Sequence, residues 1–192
     1  MTDLRPAPRS AAGSGGDPDI ADVLAAQADR AAFGVLYRRY LDRVYAYAFY
    51  QLGDHHDAED ATERTFMAAL RALPSFRDEG ATFRAWLFRI AHNTIANAHR
   101  TRFRRRTEPL PEGLERAAPN ADPASLVLEA EEARHVLRAV AELPDDRRQV
   151  VLLRFVDGLS SREIGQVMDR SEGAARVLLH RALRDLAARL AH

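Results

Sequence analysis

The 192 residues include 28 arginines, no lysine and 28 acids, so the formal net charge is zero, and 46% of residues are apolar. That composition fits one or two folded domains and excludes a wholly disordered chain. Cysteine is absent, which removes disulfides, thiol nucleophiles, iron–sulfur clusters and cysteine-ligated zinc together.

Residues 1–18 are rich in Pro, Gly, Ser and Ala and read as a disordered lead without the apolar centre of a signal peptide. From Ile20 the pattern turns helical. Phe33, Leu36, Tyr40, Val44, Ala48 and Leu52 recur at spacings of three and four, and Gly53-Asp54 supplies a stop. Asp57 to Leu73 repeats the spacing with Ala58, Ala61, Thr65, Phe66 and Ala69, and places Asp57, Glu59 and Asp60 in a first turn, where the helix dipole favours acids. Pro74 ends it. A loop over residues 75–82 keeps one aromatic, Phe76, which either caps the core or helps to form a pocket for an unstacked base. The next helix carries Phe83, Trp86, Leu87, Ile90 and Thr94 on one face, with Trp86 expected in the core, and gathers arginines at its C-terminal end.

Residues 107–125 hold four prolines (109, 111, 119 and 123) and few large apolar side chains, the composition of a flexible linker. Helices are then expected near 126–142, 144–157, 160–168 and 171–190. No segment alternates with period two, so the predicted fold is all-α: two small helical domains, 19–106 and 126–192, joined by a Pro-rich linker.

Charge is sorted along the chain although it sums to zero. Arg84 to Arg106 contains seven arginines and no acid; Glu108 to Glu132 contains seven acids and one arginine; Arg170 to His192 has five arginines against Glu172 and Asp185. Because phosphate attraction fades within about 8–10 Å, this order suggests two binding surfaces on a tether.

The most informative unit is the last helix pair. Ser160-Ser161-Arg162-Glu163 spells a capping box, Asp169-Arg170 a tight turn, and Ser171 a second cap. The next helix buries Ala175, Leu179, Ala182 and Leu186 and leaves Glu172, Ala174, Arg176, His180 and Arg181 on the other face. A short helix, a turn and a longer basic helix outline a helix-turn-helix, with Arg176 placed to reach guanine edges or phosphates. An ordinary helix pair with a solvated arginine face is the plain alternative. Arg100, Arg102 and the arginines after them can be a solvated helix end; with Asn93 and Asn97 on the same helix they can equally line a groove that tracks a nucleic-acid backbone. His55-His56 beside three acids lacks metal-site spacing and reads as an acidic helix start. No phosphate loop, dinucleotide fingerprint or nucleophile motif is present, so neither enzyme activity, cofactor, metal nor small-molecule substrate is expected. No run approaches the roughly 18 apolar residues of a membrane span, so a cytoplasmic protein without membrane insertion is expected.

Taken together these residues resemble an extracytoplasmic-function (ECF) sigma factor, a promoter-specificity subunit of bacterial RNA polymerase. The first part resembles the −10 domain of that family through Leu36-Tyr37-Arg38-Arg39-Tyr40, Asp57-Ala58-Glu59-Asp60, Thr65-Phe66, Leu73-Pro74-Ser75-Phe76-Arg77 and Phe83 to Asn93. The second resembles its −35 domain through Leu143-Pro144, Val150 to Ser160, Glu163-Ile164 and Ser171-Glu172-Gly173 to Ala182.

The resemblance implies partners and roles. Asp57, Asp60, Glu63, Arg64 and Phe66 would dock on the clamp helices of core RNA polymerase. Phe76, Arg77, Arg84, Asn93, Asn97, Arg100 and Arg102 would serve the −10 element, the loop taking a flipped base. Arg170, Ser171, Glu172, Ala174, Arg176, His180 and Arg181 would read the −35 element of promoter DNA. An anti-sigma factor would restrain the protein. Three positions depart from the usual pattern: Glu63-Arg64 replaces Gln-Glu, Asp169 replaces the turn glycine, and Ala174-Ala175-Arg176-Val177-Leu178 replaces Thr-Val-Lys-Ser-Arg. The competing readings are a self-sufficient dimeric helix-turn-helix regulator and a module that sequesters a regulator without touching DNA.

Overall fold

A computed structural model of the chain describes residues 17–78, 80–106 and 135–191, with 101–106 described by backbone alone. The first group of helices is α1 (Ile20–Ala28), α2 (Phe33–Leu52), α3 (His55–Ala72) and α4 (Phe83–Arg106), with short 3-10 turns at Arg30–Ala32 and Leu73–Ser75. The second is α5 (135–141), α6 (Asp145–Phe155), α7 (Ser161–Met168) and α8 (Glu172–Leu190). No strand occurs among the described residues.

The helix boundaries follow local chemistry. Gly53 closes α2 in the left-handed region (φ 71°), where a glycine meets no Cβ penalty, and donates its N–H to Phe49 O at 2.8 Å. Asp54 then caps α3 by accepting from the Asp57 N–H at 2.9 Å, so that helix starts at His55, two residues before the acidic turn that marks it in the sequence. Small residues on α3 (Ala58, Ala61, Thr65, Ala69) allow close approach to Leu36, Tyr40, Val44 and Tyr47 of α2, and Phe83, Leu87, Phe88 and Ala91 of α4 close the core. Thr62 and Thr65 satisfy their buried hydroxyls by donating to Ala58 O and Ala61 O, both at 2.7 Å.

The ordered region reaches further toward the N-terminus than the composition predicts. The Asp17 carboxylate accepts the Asp19 N–H at 3.0 Å and the N–H of Phe83, the first residue of α4. Asp19 in turn binds Arg39 and the Tyr40 hydroxyl. Two acids within a polar lead thus act as cross-braces between α2 and α4, a role that periodicity does not reveal.

In the second group Val150, Val151, Leu153, Leu159, Ile164, Val167, Ala175 and Ala182 form the buried centre. The capping box is complete: Ser160 Oγ accepts the Glu163 N–H at 3.2 Å, and Glu163 Oε2 accepts the Ser160 N–H at 2.9 Å. Asp169 is left-handed (φ 54°), the conformation that short Asp and Asn side chains tolerate best after glycine. Gly165 is compelled for a different reason. A Cβ there would sit 2.6 Å from Arg170 O, so the main chain of the turn rests directly on α7. With Ser171 capping α8 through the Ala174 N–H (3.2 Å), the α7–turn–α8 unit is a helix-turn-helix.

The two groups touch along α4 with α7 and α2 with α6. Their buried apolar residues join in one cluster, and polar links run across this seam as well. Arg84 Nη2 donates to both Glu163 oxygens at 2.9 Å, Thr82 Oγ1 donates to Glu163 Oε1 at 2.7 Å, and Arg43 Nη1 donates to Asp157 Oδ1 at 3.1 Å. Gln149 donates to the Tyr47 hydroxyl at 3.2 Å and pairs with His92 Nδ1, while Gln166 and Arg162 of α7 donate to Gly80 O.

Candidate nucleic-acid and polymerase interfaces

Three surfaces carry the residues singled out in the sequence. The first is a cleft of about 380 Å³ between α2 and α3, floored by Phe33, Phe66 and Leu41 and edged by Glu59 and Glu63. Phe66 is buried, its ring edge-on to Tyr37 at 4.7 Å, so it shapes the floor while Tyr37 (39% exposed) and Met67 (48%) present the apolar rim. Asp60 pairs with Arg64 at 3.5 Å on the same helix, and Asp57 sits in its first turn. Tyr37 and Met67 were not among the expected contacts; an apolar residue on the outer side of an amphipathic helix is the signal that would have found them.

The second surface surrounds the loop after α3. Phe76 is buried (5% exposed) with ring contacts to Phe83 at 5.9 Å and Trp86 at 5.1 Å, so it packs on the core while also lining the crevice beside the loop. Trp86 is only half-buried and closes over that ring, not at the centre of the core as its stripe position suggests. Gln27 of α1 holds the loop by donating to Leu73 O (2.9 Å) and Phe76 O (3.0 Å), and Arg77 donates to Pro74 O and Phe76 O. A crevice of about 360 Å³ remains between α1 and the loop, lined by Ile20, Leu24, Gln27, Phe76 and Arg77. Gln27 could not be found from sequence because its partners are backbone carbonyls 46 and 49 residues away.

Along α4, Asn93 and Asn97 are exposed and Arg100 donates to Asn97 Oδ1. Arg84 is not on that open face. It lies in the seam with Glu163, so the structure separates it from the other residues expected at the −10 element. The side chain of Arg102 and all of residues 107–134, including the Pro-rich stretch, lie outside the described residues.

The third surface is α8. Glu172, Ala174, Arg176, His180 and Arg181 are exposed on one side of it, with Ser171 at its start. Arg176 Nη2 pairs with Glu172 Oε1 at 2.5 Å, and Arg170 pairs with Asp146 of α6.

Electrostatics single out the seam. Burial pushes the Asp157 carboxyl up to about 7, although Arg84 and Arg43 pull the other way. Its Oδ2 has no hydrogen-bond partner, the nearest cation atom being Arg84 Nε at 3.7 Å. Glu163 shows the opposite balance. Burial opposes its charge, but the Ser160 N–H, Arg84 and Thr82 outweigh it and hold the carboxyl below its usual range. Burial also lowers His92, keeping the imidazole neutral beside Gln149.

Two helical units, the second a helix-turn-helix with a basic outer face, define a DNA-binding protein class. Sigma-70 region 2 matches residues 36–105 and Sigma-70, region 4 matches residues 134–186. The ECF RNA polymerase sigma factor BldN of Streptomyces coelicolor is 40% identical over 163 residues, 84% of this chain and 62% of that protein. The ECF RNA polymerase sigma-E factor of Haemophilus influenzae is 33% identical over 166 residues, 81% of this chain and 86% of that protein. A solved structure of CnrH in complex with the cytosolic domain of CnrY shares the fold with TM-score 0.67 at 27% identity, over 90% of this chain and 96% of that one. The chain belongs to the ECF RNA polymerase sigma factor family. It spans less than two thirds of some curated relatives, 62% of BldN and 65% of SigE from Mycolicibacterium smegmatis. Among the described residues no helix is long and apolar enough to cross a membrane.

Proposed function

We propose that the chain is a promoter-specificity subunit acting in the cytoplasm: it binds core RNA polymerase, directs initiation by recognising −35 and −10 elements, and is restrained by an anti-sigma factor. The observation that carries this reading is the order of the two matches, region 2 over residues 36–105 and region 4 over 134–186, the latter ending in a capped helix-turn-helix. It performs no bond chemistry; binding free energy drives strand opening.

The unit at 19–106 serves the polymerase and the separated strand. The α2/α3 cleft, with its apolar floor and the acids Glu59 and Glu63 on its rim, suits a helical partner with an apolar stripe and basic flanks. The loop crevice held open by Gln27 suits an extruded base, with Arg77 beside it and Asn93, Asn97 and Arg100 along the strand path. The unit at 126–192 reads duplex through α8, Arg176 and Arg181 contacting bases or phosphates. Strand contact by Arg84 requires that Glu163 first release it, so the two units must part before the −10 face is complete. An anti-sigma partner acts by holding the protein away from polymerase; CnrH, which shares this fold, is found bound to the cytosolic domain of CnrY.

Run-off transcription with core polymerase and a random promoter library tests this. Discrete transcripts that depend on added protein are expected. Tight operator binding as a dimer, with no transcript, would instead support a self-sufficient regulator.

A further inference from the structure

The outward face of α8 contains one residue whose chemistry differs from its neighbours. Ala175 and Ala182 are buried, with Leu178, Leu179 and Leu186 partly buried beside them. At about 100° per residue, Val177 points nearly opposite to that stripe. It is 51% exposed and shares the outer face with Gly173, Ala174, His180, Arg181 and Arg184. A β-branched apolar side chain therefore stands at the middle of a basic surface, on the turn after the Ser171 cap. Gly173 and Ala174 at the helix start are small, and a Cβ at Gly173 would meet nothing within 4 Å, so the helix start can approach a partner closely.

Single exposed valines are common on protein surfaces and need no explanation by themselves. The setting supplies one here. On the proposed function the partner of this face is duplex DNA, which its basic flanks suit. In the major groove the apolar group on a base edge is the thymine C5-methyl, and small or branched aliphatic side chains meet it directly. Arg176, braced by Glu172, and Arg181 lie on either side of Val177 and have the length to reach polar base edges or phosphates around it.

We propose that Val177 is a specificity-determining residue that selects a thymine in the −35 element by packing on its C5-methyl. The proposal deepens the reading of α8 as the duplex-reading helix and rests on it.

Replacing thymine by deoxyuridine removes that methyl and leaves every hydrogen-bonding group in place. Holoenzyme made with the full chain is to be tested on promoters carrying single T-to-dU changes across the −35 region, on each strand in turn. One position should lower binding about fourfold, the size expected for burying one methyl-sized group. In Val177→Ala, a change at an exposed helix site that should leave thermal unfolding unaltered, the difference between T and dU promoters should shrink, because the shorter side chain withdraws from the methyl. Either of two results overturns the proposal: no position is methyl-sensitive, or the penalty persists undiminished in Val177→Ala. Arg176→Ala, run alongside, separates this from failure of the underlying reading. If sequence-specific −35 binding exists and responds to Arg176 but not to the methyl, only the Val177 assignment falls; if it responds to neither, α8 is not the reading helix and both fall.

Discussion

The interior of the first helical unit is held by apolar packing, whereas the contact between the two units adds buried ion pairs to a shared apolar cluster. The interior packs Leu36, Val44, Leu87 and Phe88, all fully buried, with ring contacts such as Tyr47 to Phe88 at 5.5 Å. The seam relies on guanidinium–carboxylate pairs, an amide on a neutral imidazole, and one carboxylate oxygen with no partner. Apolar packing resists any substitution that leaves a void, and its strength is insensitive to salt. The ion pairs across the seam, whose acids Asp157 and Glu163 are buried, gain less, because stripping water from each charge costs much of what pairing returns. The contrast teaches that apolar packing does most to hold each unit, while paired charges do more at their contact.

The largest effect expected within this comparison is Phe88→Ala, which should cost ~3–5 kcal/mol, the range for removing a buried aromatic ring. Urea denaturation followed by circular dichroism measures it. A loss no larger than that of a seam substitution would break the contrast. Next comes Glu163→Gln, which removes the charge facing Arg84 while keeping the shape. It should weaken closure by ~1–3 kcal/mol, the range for hydrogen bonds to charged groups. Energy transfer between dyes on engineered cysteines, one per unit, reports that opening without interference in a chain that has none of its own. Arg84→Gln should match it, and the double variant should add little beyond either.

The smallest effect at neutral pH is expected from Asp157→Asn, within ~1 kcal/mol of the parent because the two side chains have the same shape and one hydrogen bond is at stake. Its interest lies in the pH profile. A carboxyl raised by burial from 3.8 to about 7 binds its proton more tightly in the folded protein than in the unfolded chain. Stability of the parent relative to Asp157→Asn should therefore rise as pH falls from about 7 toward 4, and the difference should be flat above 7. His92 acts in the opposite sense. Its lowered pKa means that stability falls below the ordinary value of 6.5, a slope that Asp157→Asn leaves exposed by itself. Identical profiles for parent and variant would show that Asp157 stays ionised in the seam.

Much of the fold was legible because it is written at short range. Spacings of three and four marked α2, α3 and α4; Ser160 with Glu163, Asp169 and Ser171 spelled out the helix-turn-helix residue by residue. What the sequence hid depends on partners far along the chain. Glu163 looks complete as the second half of a capping box, so nothing local reports that it also binds Arg84, 79 residues earlier. Arg84 looked like one more member of an arginine block, and only packing of α4 on α7 removes it from that block. Phe76 sits in a polar loop that resembles a binding site; its ring is turned inward by Phe83 and Trp86, and the recess beside it is held by Gln27. Asp17 and Asp19 belong by composition to the polar lead and by structure to the braces of α4 and α2.

The carbonyl of Arg170 resting on Gly165, together with Ala175 and Ala182 buried beneath the helix, sets the tilt of α8. Side chains on the outer face of that helix take no part in fixing the angle. On the proposed reading of α8, exchanging them alters which bases are preferred while the frame that presents them stays put, so new promoter preferences are reachable one surface residue at a time, without refolding the scaffold.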